Sequence, residues 1–193
     1  MAAQRLIVPL TAEQAKSQSE QDAEARFEAT FQEHWPRVFG VVYRLVGDAA
    51  EAEDLALEAF WRLYNHRLKI EGEVGGWLYR VAMNLGFNAL RASQRRWRYE
   101  VEAGRRSLED TPLADPADEI ERDQRRQLVQ AALAKMKPRS AQMLVLRHSG
   151  LSYAEIGAAL DIAPGSVGTL LARAEAEFEG WYQVLEGGSH ASQ

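Results

Sequence analysis

Arg80, Asn84, Asn88, Arg91, Arg95, Arg96 and Arg98 fall in one stretch of the chain, beside Trp77, Phe87, Trp97 and Tyr99. No Asp or Glu interrupts the run from Arg80 to Arg98. Guanidinium groups neutralise phosphates and release counterions. Side-chain amides bond base edges, and aromatic rings stack on unpaired bases. The combination suits single-stranded or melted DNA. The bland alternative is a solvated basic face over buried aromatics. Trp77 fits that alternative as a core residue, whereas Trp97, flanked by Arg95, Arg96 and Arg98, fits it poorly.

A second group lies near the C-terminal end. Ile156 and Leu160 are spaced to face inward on one short helix, and Val167, Leu170, Leu171 and Ala174 on a second. Gly157, Ala158 and Ala159 are small enough for close helix approach, and Asp161-Ile162-Ala163 supplies a short break. This is the pattern of a helix-turn-helix. Ser166, near the start of the second helix, can cap it and meet a phosphate. Periodicity alone also admits an ordinary helical hairpin.

Catalytic chemistry finds little support. His34, His66, His148 and His190 are dispersed and lack metal-ligand spacing. The chain has no cysteine, which excludes a thiolate metal site, a disulfide and a cysteine nucleophile. It also lacks a Gly-rich phosphate loop. Glu51, Glu53, Asp54 and Glu58 could contribute to a di-metal centre only with a partner Glu-x-x-His pattern, which is absent. Those acids read instead as a solvated face or a protein contact, and no metal or cofactor is expected.

The elements that would hold these residues are helical. Phe27, Phe31, Trp35, Val38, Val42 and Leu45 recur at helical spacing, with Pro36 predicting a kink or a boundary. Asp48 is placed to cap a helix from about Ala50 to Tyr64 whose inner stripe is Leu55, Ala59 and Leu63. Residues 72–76 read as a loop, and Trp77, Val81, Leu85 and Ala89 mark a further helix to about Arg95. Leu128, Ala132, Leu133 and Met136, then Pro138 with Met143, Leu144 and Leu146, restart the helical period.

Charge and composition divide the chain further. The net charge of −5 conceals sorting, because Glu109, Asp110, Asp115, Asp118, Glu119 and Glu121 form an acidic block behind the arginines. The expected class is all-α: two small helical domains joined by a flexible acidic linker, the second containing the helix-turn-helix. The expected segments are a flexible tail over 1–22, a first domain over 23–98, a linker over 99–121, a second domain over 122–183 and a flexible tail over 184–193. No apolar run approaches the roughly 20 residues needed to cross a bilayer. The reading is a cytoplasmic protein with no direct membrane insertion.

Taken in order, these segments resemble the extracytoplasmic-function (ECF) sigma factors of the sigma-70 family from about Phe27 to Phe178. The resemblance rests on Phe27-Glu28-Ala29 through Trp35-Pro36-Arg37-Val38-Phe39, then Ala52-Glu53-Asp54-Leu55 with Glu58-Ala59-Phe60. It continues through Trp77-Leu78-Tyr79-Arg80-Val81-Ala82, Asn84 and Leu90-Arg91, and closes with Leu151-Ser152-Tyr153-Ala154-Glu155-Ile156 and Val167 through Arg173-Ala174. It implies a non-catalytic specificity subunit that binds core RNA polymerase, recognises promoter DNA and initiates transcription.

The resemblance also implies residue roles. Asp54, Glu58, Phe60 and Arg62 match the polymerase-docking helix. Arg80, Asn84, Asn88, Arg91, Arg95, Arg96, Trp97 and Arg98 match the helix that recognises and opens the minus-ten element. The helix-turn-helix matches the reader of the minus-thirty-five element, with Arg139, Arg147, Ser166, Val167, Gly168, Thr169 and Arg173 as its contacts. An anti-sigma factor is a further implied partner.

The sequence departs from the family pattern in places. Leu57 stands where Gln is common, and Met83 where a basic or small residue is frequent. Gly168 and Leu170 replace customary basic residues, and Glu175, Glu177 and Glu179 add negative charge to the recognition helix. The alternative reading is therefore a sigma-like interaction protein with weak or no upstream-element binding.

Overall fold

The aromatic and aliphatic stripe that opens the chain's helical pattern forms a single long helix. In the computed structural model, which describes residues 12–65, 74–102 and 116–190, this is α1 (Ala12–Val46). Val38, Val42 and Leu45 are fully buried, and Phe31 packs between Trp35 and Phe60 with ring centroids 5.0 Å and 4.7 Å away. Pro36 neither breaks nor divides the helix, although it removes one backbone donor. The carbonyl left without that donor belongs to Gln32, an exposed residue, so water can replace the lost bond. The helix begins at Ala12, before the expected end of a flexible tail at residue 22.

Gly47 ends this helix with φ +76°, a left-handed conformation that glycine adopts without a Cβ penalty. Asp48 then caps α2 (Ala49–Asn65), its Oδ1 accepting the Glu51 N–H at 2.8 Å. Ala52, Ala56, Ala59 and Phe60 form the deepest stripe of α2, while Leu55 and Leu63 pack at its margin.

The third helix, α3 (Val74–Glu102), differs from expectation at both ends. Gly75 and Gly76 lie in its first turn rather than in a loop, and its end runs past Arg98. Its buried stripe is rotated by one residue from the one anticipated. Leu78, Ala82 and Leu90, with Tyr79, Met83 and Phe87, enter the core, while Trp77, Val81 and Leu85 sit at its edge. A Cβ at Gly86 would lie 2.6 Å from Leu45 Cδ1, so α1 and α3 cross closely here.

The second unit contains α4 (Pro116–Lys135), α5 (Pro138–His148), α6 (Tyr153–Leu160) and α7 (Pro164–His190). Pro116 opens α4 within the segment read as linker, in a position where the fixed φ of proline suits a first helical turn. Residues 103–115 of that linker, and the 66–73 segment that includes His66, lie outside the described residues. Ser152 and Glu155 form a reciprocal capping box at the start of α6. The last helix, α7, continues through Gly187 to His190, beyond the expected start of a flexible tail at residue 184.

The expected all-α class holds, and no strand occurs among the described residues. Among those residues, no helix is long and apolar enough to cross a membrane. The two units are more than tethered: α6 lies directly on α3, and α4 also touches α3.

Candidate functional site

On α3, Arg80, Asn84, Asn88, Arg91 and Arg95 are spaced by four, four, three and four residues. At 3.6 residues per turn this places them within about a quarter of the helix circumference, along roughly 22 Å. All five residues are exposed, as is Arg96. Leu78, Tyr79 and Ala82 on the opposite side anchor the helix, so core packing turns the cationic and amide groups outward. Trp97 and Arg98 lie within α3, but their side chains are outside the described residues. Arg80 is not directed only to solvent. Its Nε donates to the Ala159 carbonyl at 2.9 Å and a terminal nitrogen donates to that of Ala158 at 3.3 Å.

The candidate docking face of α2 places Asp54 and Arg62 at the surface and Glu58 half-buried. Glu58 Oε1 accepts from Arg62 Nε at 2.8 Å, an ion pair that also orients both groups. Phe60 is only 2% exposed and packs against Phe31 and Trp35. It holds the helix from inside and has little surface for a partner. Sequence reasoning missed Trp61, which is 58% exposed, while Leu57 at 45% had been noted only as a departure. They are four residues apart and off the Ala52–Ala56–Ala59 stripe. That spacing was the available signal that the face combines apolar surface with Asp54 and Glu58.

In the helix-turn-helix unit, Ser166, Thr169 and Arg173 are exposed on the first turns of α7, while Gly168 is half-buried and its position faces the Tyr153 ring. Val167 is fully buried between the helices, so its side chain cannot supply a DNA-facing surface. Ser166 lies two residues beyond the start of α7 and donates its backbone N–H to the Ala163 carbonyl, so it is not the helix cap. Arg139 donates to the Leu160 and Asp161 carbonyls at 2.8 Å and 3.0 Å, bracing the turn. Arg147 reaches the Leu151 carbonyl and lies over the Tyr153 ring. Glu177 also has internal work: its Oε1 accepts the Lys137 N–H at 2.7 Å at the start of α5.

Arg37, Tyr79 and Glu155 meet between the two units. Burial raises the Tyr79 phenol, an effect opposed by the neighbouring Arg37. The Arg37 guanidinium is held above its ordinary value by Tyr79 and then by the charge of Glu155. Burial would raise the Glu155 carboxyl, but hydrogen bonds from Ser152 and the charge of Arg37 outweigh it and hold the group below its ordinary value. Among the described residues, no group of three or more His, Asp or Glu side chains is gathered to hold a metal.

This arrangement has clear relatives. Residues 30–96 match the family described as Sigma-70 region 2, and residues 126–178 match Sigma-70, region 4. The ECF RNA polymerase sigma factor SigE of Mycolicibacterium smegmatis is 35% identical over 152 residues, covering 77% of this chain and 58% of that protein. SigW of Bacillus subtilis is 31% identical over 71% of this chain and 78% of its own length. CarQ of Myxococcus xanthus, an RNA polymerase sigma factor, is 34% identical over 75% and 82% of the respective chains. Among solved structures, CnrH in complex with the cytosolic domain of CnrY shares the fold with a TM-score of 0.57, at 16% identity over 86% of this chain and 94% of that one. The chain belongs to the sigma-70 family, in its ECF branch.

Proposed function

We propose that this protein is a non-catalytic specificity subunit that binds core RNA polymerase in the cytoplasm, recognises promoter DNA and initiates transcription. The observation that carries this reading is the single exposed face formed by Asn84, Asn88, Arg91 and Arg95 on α3, in the same chain as a helix-turn-helix. The arginines supply phosphate affinity, and the two amides supply base readout. Trp97 and Arg98 extend that role by their position in sequence. On α2, Asp54, Glu58 and Arg62 form the polar part of a docking face for polymerase, with Phe60 fixing the helix from below.

The residues over 23–98 therefore serve docking and minus-ten recognition, those over 99–121 the connection, and those over 122–183 upstream reading. In the last unit, Ser166, Thr169 and Arg173 are the groups available to the minus-thirty-five element. Gly168 permits close approach, Val167 seats the helix, and Arg139 and Arg147 secure the supporting turns. An anti-sigma factor is proposed as a regulatory partner. Structures of relatives named as complexes, CnrH with the cytosolic domain of CnrY and RpoE with the anti-sigma factor NepR from Bartonella quintana, motivate that proposal.

A second reading, a sigma-like interaction protein with little upstream binding, draws on the exposed Glu175 and Glu179 beyond Arg173. Reconstitution with core polymerase and a promoter library separates the two. Promoter-specific transcripts are expected. Polymerase binding without such transcripts would favour the second reading.

A further inference from the structure

Tyr153 is the first residue of α6, and the capping box of Ser152 and Glu155 fixes the backbone around it. Its side chain is 44% exposed. The Arg147 guanidinium lies 5.5 Å from the ring centroid, and its Nη1 donates to the Leu151 carbonyl at 3.5 Å. A cation over one face, itself tied to backbone, restricts how the ring can turn. At the ring's edge stands Gly168 of α7. A Cβ there would lie 3.4 Å from Tyr153 Cε2 and 4.0 Å from the hydroxyl oxygen. These are ordinary contact distances, so packing leaves room for alanine. The backbone does not demand glycine either, because Gly168 is not among the positive-φ positions. Glycine in a helix interior is unfavourable. Its effect here is to leave the Cε2 edge of Tyr153 uncovered. Among the described residues, the hydroxyl beside that edge has no hydrogen-bond partner.

We propose that this uncovered edge of Tyr153 reads the C5 methyl of a thymine in the upstream promoter element. The inference rests on the promoter reading above and deepens it by naming a base and the side chain that selects it. In the major groove, thymine presents its methyl beside the O4 acceptor. The Cε2 edge packs on the methyl in the space that a side chain at 168 would fill. The neighbouring hydroxyl keeps a hydrogen-bonding group within reach of O4. Arg147 acts as a positioning residue by holding the ring face. Readout of this kind needs no added cation, which suits a recognition helix carrying Glu175 and Glu179.

Uracil differs from thymine by the methyl alone, so it isolates the contact. Each thymine of the upstream element is replaced singly by uracil, on either strand, and transcription is measured with the full chain on core polymerase. One replacement should lower transcription by the unmodified chain about fourfold, the scale of one buried methyl group. Tyr153→Phe keeps the ring edge and should keep that thymine-to-uracil ratio. Gly168→Ala fills the gap and should bring the ratio to about one, without lowering the thermal midpoint. Tyr153→Ala should do the same to the ratio.

The reading is overturned if no uracil replacement affects the unmodified chain, or if Gly168→Ala leaves the ratio intact. Promoter-specific transcripts from the unmodified chain in that case leave the promoter reading standing alone. No such transcripts from the unmodified chain remove both. The uracil scan needs no variant, and Gly168→Ala decides the matter if Tyr153→Ala does not fold.

Discussion

Asn84 and Arg95 share one stripe of α3 but carry different chemistry. An amide can distinguish base edges, whereas a guanidinium on a phosphate is indifferent to sequence. Arg95→Ala should therefore weaken all promoters together and reduce the slope of log affinity against log salt by about 1. Asn84→Ala should leave the slope unchanged and alter preference at a minus-ten position. Identical promoter rankings and salt slopes for both variants and the parent would defeat this division. The exposure of Asn84 and Arg95 on one face was legible because it follows from residue type and helical spacing. Arg80, Arg139 and Arg147 were harder to place, because their partners include backbone carbonyls that sequence spacing does not identify. Phe60 and Val167 illustrate the converse: a family role gives the position, and packing decides that the side chain points inward. Glu155 gives a pH prediction with a definite sign. Its folded-state pKa is depressed, so its stabilising contribution is present above the ordinary carboxylate range and lost as pH falls through the lowered folded value. Glu155→Gln retains an oxygen for the Ser152 N–H but cannot ionise. It should flatten the acid-side loss of thermal stability, and an unchanged acid limb would refute the assignment.

The helices depend on features of unequal visibility. Long apolar periods, the Asp48 cap and the break before α7 could be read directly, because each has a local physical cause. The rotated stripe of α3 could not. Trp77, Val81 and Leu85 satisfy the helical period as well as Leu78, Ala82 and Leu90 do, and packing against α1 selects between the two sets. The short α6 is decided by its ends and by one glycine. A Cβ at Gly157 would meet the Ile162 carbonyl oxygen at 2.6 Å, and backbone in the turn cannot move aside as a side-chain tip can. Alanine gains about 1 kcal/mol of helix propensity over glycine, but overpacking costs about 1–3 kcal/mol. Gly157→Ala should therefore lower the thermal midpoint despite its better propensity; a rise would show that the turn relaxes. On α2, Asp54 and Glu58 sit beside exposed Leu57 and Trp61, a mixed surface suited to a protein partner. Asp54→Ala with Glu58→Ala should weaken core-polymerase binding by about 2 kcal/mol or more, with helicity preserved. A folded double variant of unchanged affinity would remove this face from the docking interface.

The two units together determine how the acidic recognition helix can work. Arg173 is exposed, but Arg139 and Arg147 already support the turns of the second unit, so few cations remain on the face proposed to meet DNA. Fewer phosphate contacts mean weaker binding and a shallower salt dependence. The glutamates are less uniformly adverse than their charge suggests, since Glu177 is engaged with Lys137 rather than pointing only toward a groove. On the proposed function, polymerase holding this unit near its site would raise the effective concentration and offset a low intrinsic affinity. The isolated fragment from Pro116 onward should still fold, because water can replace Arg80 at the Ala158 and Ala159 carbonyls, but should bind promoter DNA poorly. The assembled polymerase should nevertheless distinguish a correct minus-thirty-five element from a scrambled one. Transcription from matched promoters differing only in that element, measured beside fragment binding, tests both parts. Equal transcription from the two promoters would eliminate upstream reading, whereas tight sequence-specific binding by the fragment would show that the exposed hydroxyls, helix amides and Arg173 suffice without the tether.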